Sequence, residues 1–128
     1  MKTPRAKFQE HLNGIKLLEK NENSAAVEFS VSETSPYFDG HFPGFSLLPA
    51  VAQVELVIRF ASEYFETGID ILEMRRIKFT KFVRPNLPLR LELEKKDKTV
   101  SFKLITPGGQ EVYSRGIIEI SEKRETGV

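Results

Sequence analysis

The chain has no cysteine in its 128 residues. That excludes disulfides, thiol nucleophiles and thiolate metal sites. It has only two histidines, His11 and His41, too few for a multi-histidine metal centre, so no metal is expected. Excess charge is also lacking: 19 Lys and Arg against 18 Asp and Glu leave a formal +1, which gives no global pull toward nucleic acid or an anionic membrane. Long apolar runs are absent too. The best candidate, Leu47 to Ile58, is interrupted by Gln53 and Glu55 and is too short to span a bilayer. The segment Met1 to Glu10 carries Lys2, Arg5, Lys7 and Glu10 around Pro4 and has no apolar stretch of signal-peptide length, so a cytoplasmic protein is expected.

What is present is ordinary for a folded domain. With 40% hydrophobic and 29% charged residues the chain can bury a core of its own, and no repeat, low-complexity tract or linker divides it. One domain over 1–128 is expected, with a charged, frayed tail from about 121 to 128.

Periodicity supplies the elements. His11 to Leu18 and Ser24 to Val31, separated by the polar cluster Glu19 to Asn23, suggest a first hairpin. His11 lies among polar neighbours and is expected on the surface. A helix should begin with Pro49 at its first position and run to about Glu66, with Gly68 as its stop. Its roughly eighteen residues would span about 27 Å. Val51, Ala52, Val54, Leu56, Val57, Ile58, Phe60 and Ala61 cover most of its circumference, leaving Glu55, Arg59, Ser62 and Glu66 as a polar stripe, so it should be wrapped by other structure. Strands are expected over Met74 to Val83, Leu89 to Glu94, Val100 to Thr106 and Val112 to Ile120, with Lys81 marking a bulge or strand end. The class is α+β, one long helix packed in a curled antiparallel sheet.

The chemistry concentrates before and within the helix. His41 sits in a Pro/Gly-rich loop, and Glu55 follows it by fourteen positions inside an otherwise apolar helix, a candidate base and acid in one local segment. At the helix start the amides of Ala50 and Val51 lack intrahelical acceptors and present the positive end of the dipole, a site for a developing enolate oxygen. Gly44 lets the backbone approach a substrate closely. A plainer account exists for each feature: a loop histidine with a satisfied hydrogen bond, and a Glu55–Arg59 pair at i and i+4 worth about 0.2–0.5 kcal/mol on a helix surface. Gln53, on an apolar side, is either a buried hydrogen-bonding residue or a dimer contact.

The run His41-Phe42-Pro43-Gly44, then Pro49 and Glu55, resembles the active-site signature of the 3-hydroxyacyl-(acyl carrier protein) dehydratases: His-Phe-Pro-Gly, Pro-Gly-Val, and a Glu at the same offset. Ile77 to Pro88, with its Arg84-Pro85-Asn86-Leu87-Pro88 turn, is similar to the family's strand and Arg-Pro-x-x-Pro turn after the helix. The run Leu47-Leu48-Pro49-Ala50-Val51-Ala52-Gln53 also resembles a dehydratase-like branch associated with aryl polyene synthesis.

The resemblance implies a hot-dog fold with active sites at a dimer interface. It makes His41 the residue that takes the α-proton and Glu55, from the other subunit, the acid that protonates the leaving β-hydroxyl. The Ala50 amide, helped by Gly44, would hold the thioester carbonyl, and the Leu47 carbonyl would fix the histidine ring. The partner implied is an acyl carrier protein, with no diffusible cofactor, since loss of water transfers no electrons. The basic run Arg75, Arg76, Lys78, Lys81, Arg84 and Arg90 is a candidate docking segment for that acidic carrier, or simply a solvated strand face. Phe42, Phe45, Phe60 and Phe82 either line an acyl tunnel or belong to the core.

Three residues depart from the family pattern. Ala50 replaces a Gly, Ser46 a Pro, and Arg59 a Gln one turn after the acid. A guanidinium facing Glu55 would stabilise the charged carboxylate and weaken it as a proton donor, so either Arg59 points away or the leaving group is handled differently. A hot-dog thioesterase and a non-catalytic acyl-binding subunit paired with a homologue are the other functions compatible with these residues.

Overall fold

A computed structural model describes residues 8–38 and 47–123. His41, Phe42, Gly44 and the Phe45-Ser46 pair therefore lie outside the described residues. Strands β1 (Leu12–Lys20) and β2 (Ser24–Val31) form the expected hairpin, and a single 3-10 turn covers Pro36–Phe38. Helix α1 (Ala50–Phe65) is followed by β3 (Thr67–Phe79), β4 (Leu89–Lys96), β5 (Thr99–Ile105) and β6 (Val112–Glu122). The six strands make one sheet in the order β1-β2-β4-β5-β6-β3, and every neighbouring pair is antiparallel. One face of this sheet packs on α1.

The core follows the strand alternation. Leu89, Leu91 and Leu93 of β4, Val100, Phe102 and Leu104 of β5, and Ile118 and Ile120 of β6 are buried, while Arg115 and Lys103 between them are exposed. This is the period-two pattern of a sheet covered on one side. Against it α1 sets Leu56, Val57, Phe60 and Ala61. Phe60 is fully enclosed, with the rings of Phe8, Phe29 and Tyr64 at centroid distances of 4.9, 5.1 and 5.8 Å. Burial of such a ring stabilises by about 1.5–3 kcal/mol. Burial holds the Tyr64 phenol up at about 12, with the Glu63 charge adding to the effect.

Several boundaries differ from those expected, each for a local reason. Pro49 is the N-cap rather than the first helical residue: its ψ of 158° is extended, and only its carbonyl joins the helix, accepting from the Ala52 and Gln53 amides at 3.0 and 3.1 Å. The stop is Glu66 in the left-handed region at φ 56°, so Gly68 lies inside β3 instead of ending the helix. Strand β3 begins at Thr67, because Ile69 and Ile71 extend its alternation, and it ends at Phe79, before Lys81. Val51 is exposed, as is Ala50 beside it, whereas Ala52, Val54, Leu56, Val57, Ile58, Phe60 and Ala61 are buried. His11 is half-buried rather than exposed, its ring edge-on to Tyr37 at 5.9 Å. Ser121 and Glu122 belong to β6, where Glu122 pairs with Thr67.

A bulge shapes the β3–β6 pairing. Arg75 faces Ile117 and Lys78 faces Arg115, so Arg76 and Ile77 together oppose Gly116, and Arg76 takes a φ of 56°. Ile77 fills the space that a side chain at 116 would occupy. A Cβ there would lie 2.2 Å from Ile77 Cδ1 and 3.1 Å from Phe102 Cε1. Gly116→Ala should therefore destabilise the fold by about 1–3 kcal/mol, seen as a lower urea midpoint with an unchanged slope.

Candidate active site

The N-terminus of α1 is fixed to the segment after β3 by two bonds through one residue. The Leu48 amide donates to the Val83 carbonyl at 2.8 Å, and the Leu48 carbonyl accepts from Gln53 Nε2 at 3.2 Å. Gln53 is only 4% exposed, which resolves its role in favour of the buried hydrogen-bonding residue. Its Oε1 is buried without a partner among the described residues.

Between these segments lies a cavity of about 410 Å³. Leu47, Pro49, Ala50 and Gln53 wall it from the helix side, and Phe79 and Phe82 from the end of β3 and the residues after it. Ala50 and Val51 are the first two helical residues, and neither amide meets an acceptor among the described residues. Pro49 makes no side-chain cap, so none of the described residues competes with an incoming carbonyl oxygen for these donors. The cavity thus has mainly apolar walls and takes in Ala50 at the helix start, a candidate cradle for a carbonyl oxygen.

Of the residues proposed from sequence, Leu47 and Ala50 come together here. Glu55 does not line this cavity. It lies further along α1, half-buried, with its Oε1 2.8 Å from Arg59 Nε. Arg59 therefore faces Glu55, and the carboxylate enters any reaction already bound to a guanidinium. Tyr37, from the 3-10 turn, sits within electrostatic reach of both: burial chiefly, and then the Glu55 charge, push its phenol above its ordinary value, with Arg59 pulling it back. Tyr37 was not singled out from sequence, where only its place four residues before His41 marked it. The candidate tunnel aromatics divide, since Phe60 belongs to the core and Phe82, 71% exposed, to the cavity wall. His41, Phe42 and Gly44 fall outside the described residues. Among the described residues no group of His, Asp and Glu side chains is arranged to hold a metal ion, and no helix is long and apolar enough to cross a membrane.

Residues 17–117 match the family model described as ApeI dehydratase, ApeI-like. The chain belongs to the ApeI-like dehydratase family. Among curated proteins it is 37% identical over 92 residues to the 3-hydroxyacyl-[acyl-carrier-protein] dehydratase FabZ of Bacillus thuringiensis and to that of Bacillus mycoides, a match covering 62% of this chain and 60% of each relative. The chain thus spans about three fifths of the curated relatives it matches. Among solved structures, a chain of the dehydratase heterocomplex ApeI:P from Xenorhabdus doucetiae superposes with a TM-score of 0.71 at 22% identity, over 85% of this chain and 99% of that one. A thioesterase-like protein from Streptococcus pneumoniae, solved with coenzyme A, superposes at 0.60 with 10% identity, over 91% and 92%. The shared architecture is the hot-dog fold, here an ApeI-like example with one helix wrapped by six antiparallel strands.

If the Arg59 guanidinium restrains Glu55 as a proton donor in this ApeI-like chain, Arg59→Gln should raise kcat by about threefold to tenfold and alter the pH–rate profile. An unchanged profile would separate Arg59 from the chemistry.

Proposed function

We propose that this chain eliminates water from 3-hydroxyacyl thioesters borne on an acyl carrier protein, giving trans-2-enoyl thioesters for fatty acid or polyene lipid synthesis. The observation that carries this reading is Ala50, the first helical residue, whose amide meets no acceptor among the described residues and which walls a cavity together with Leu47 and Phe82. It lies in the same run that carries the His-Phe-Pro-Gly signature.

In the mechanism, the Ala50 amide, assisted by Gly44, polarises the thioester carbonyl and makes the α-hydrogen acidic. His41 removes that proton, its ring held by the Leu47 carbonyl through the other nitrogen. Electrons move into the Cα–Cβ bond, the β-hydroxyl leaves, and Glu55 supplies the proton that makes it water. Phe42 borders the acyl chain. The reaction needs no cofactor, because the substrate is neither oxidised nor reduced.

Glu55 stands apart from the cavity of its own subunit, which favours a site shared between two subunits. Edge strand β3 supports such pairing. Its outer edge has no strand partner among the described residues, and Ile69, Ile71, Leu72 and Met74 on it are 44%, 41%, 57% and 49% exposed. A long edge strand with this much apolar surface is a template for a second strand. A homodimer paired through β3, in the cytoplasm, accounts for both features. The ApeI:P relative is a heterocomplex, so a homologous chain is the alternative partner.

Incubation with a 3-hydroxyacyl carrier thioester, followed by mass spectrometry, should show loss of one water with the thioester intact; free acid would point to a thioesterase instead. His41→Ala and Glu55→Gln should each lower kcat by about 10²–10⁴. Unchanged turnover in both variants would remove them from the reaction and favour a non-catalytic subunit.

For the assembly, sedimentation velocity should show a dimer that Ile71→Lys combined with Leu72→Glu converts to monomer, with activity lost in parallel. A wild-type monomer at assay concentration would exclude the shared site.

A further inference from the structure

Three polar side chains border the cavity at the helix start: Gln53, Thr80 and Lys81. Two of them are engaged elsewhere. Lys81 Nζ donates to Glu111 Oε1 at 2.8 Å, and Thr80 Oγ1 donates to the Val112 carbonyl. Gln53 is different: it is 4% exposed, and its Oε1 has no hydrogen-bond partner among the described residues. An acceptor left unpaired at that depth is destabilising, and a ligand donor would relieve it.

The identity of the unpaired atom follows from what faces the other side of the amide. The Leu48 carbonyl can only accept, so the Gln53 group 3.2 Å from it is the donating Nε2. Turning the amide over would set two acceptors against each other. A helical side chain leans toward the N-terminus of its helix, so Gln53 reaches back along the turn that begins with Ala50. The cavity therefore takes in a donor and an acceptor from one stretch of helix. The donor is the Ala50 amide, which meets no acceptor among the described residues. The acceptor is Gln53 Oε1, whose backbone lies about 4.5 Å further along the axis.

A ligand that suits this pair carries an acceptor and a donor close together on an otherwise apolar body. A cation would be attracted to Oε1, but the lining contains no carboxylate to neutralise it. An anion or a second carbonyl would meet the lone pairs of Oε1 and be repelled. A neutral hydroxyl satisfies the oxygen at no such cost. In a 3-hydroxyacyl thioester the hydroxyl-bearing carbon is two bonds from the thioester carbon, so one molecule presents both groups.

We infer that Gln53 Oε1 accepts the hydrogen bond of the substrate's 3-hydroxyl, and that this contact selects 3-hydroxyacyl chains over acyl and 3-oxoacyl chains. That role rests on the 3-hydroxyacyl substrate proposed above. The contact also sets the rotation of the hydroxyl about its C–O bond. With its hydrogen committed to Gln53, the oxygen keeps its lone pairs for the proton from Glu55. No bond to Gln53 forms or breaks: the hydroxyl departs with its own hydrogen and the proton of the acid, as water.

The test measures binding to the full chain by calorimetry, with amide-linked pantetheine analogues that resist elimination and carry a 3-hydroxybutyryl, butyryl or 3-oxobutyryl group. The wild-type protein should bind the hydroxyacyl analogue about tenfold or more tighter than the acyl analogue, and the 3-oxoacyl analogue most weakly. Gln53→Met, close in volume, should bring the hydroxyacyl-to-acyl ratio near one. Because Met also leaves the Leu48 carbonyl unpaired, a merely structural role would weaken both analogues alike and preserve their ratio. If Gln53→Met does not fold, the wild-type series decides alone, since an acceptor facing the ligand ranks hydroxyl above hydrogen and hydrogen above oxo. Equal or undetectable affinities in the wild type, a ratio unaltered by Gln53→Met, or tightest binding of the 3-oxoacyl analogue would each overturn the proposal. Loss of water from a 3-hydroxyacyl thioester without hydroxyl selectivity would overturn the contact and leave the reaction standing. Hydroxyl selectivity that depends on Gln53, without turnover of the thioester, would support the contact and overturn the reaction.

Discussion

The candidate site depends on how the Leu48 peptide is held. Its amide and carbonyl are both used, one toward Val83 and the other toward the Gln53 side chain, and Leu48 itself is buried. Together the two bonds fix the helix start against the chain leaving β3. That attachment defines the cavity, because the two segments are its opposite walls. A buried hydrogen bond with a lost partner costs about 1–3 kcal/mol, so the arrangement resists loosening. Ala50 is then oriented by the rigid body of α1, whose other end is anchored by Phe60 and its ring of aromatics. The amides at the helix start thereby inherit the rigidity of the core.

The arrangement also separates the two polar parts of the site. Ala50 opens into the cavity, whereas Glu55 shares its own region with Arg59 and Tyr37. A helix turns about 100° per residue, so five residues carry the side chain roughly 140° around the axis. On the proposed reading the same helix would serve two half-sites, its first turn in one and its second turn in another. Arg59 adds an electrostatic condition to the second.

Much of this was legible in the residues. Alternation in Leu89 to Glu94 and in Val100 to Thr106 located β4 and β5, because each has one covered face and one wet face. The helix and its apolar circumference followed from Val54 to Ala61. Its ends were less legible. Pro49 can serve as N-cap or first residue, and the distinction lies in a ψ angle that no side chain announces. The stop came at Glu66, a residue with no intrinsic liking for the left-handed region, while Gly68 looked the more natural terminator. The first half of β3 was missed because its apolar residues face solvent on an edge and resemble a surface segment. For the candidate site, resemblance to the dehydratase signature named Leu47, Ala50 and Glu55, but no spacing rule could join Lys103 and Arg115 to Lys78. Those residues are distant in the chain and meet only through strand register.

The strand order has a consequence for biosynthesis. Strand β3 follows the helix in the chain, yet its neighbour in the sheet among the described residues is β6, and its first residue pairs with the last residue of that strand. When β3 leaves the ribosome, the surface it will join does not exist: β6 begins at Val112. At roughly 5–20 residues per second, the interval lasts a few seconds. During that time a strand with exposed Ile69, Ile71, Leu72 and Met74 has both edges open. The charges of Asp70, Glu73, Arg75, Arg76 and Lys78 are distributed along the same strand. They act as gatekeepers during synthesis, keeping nascent copies from stacking until β6 arrives.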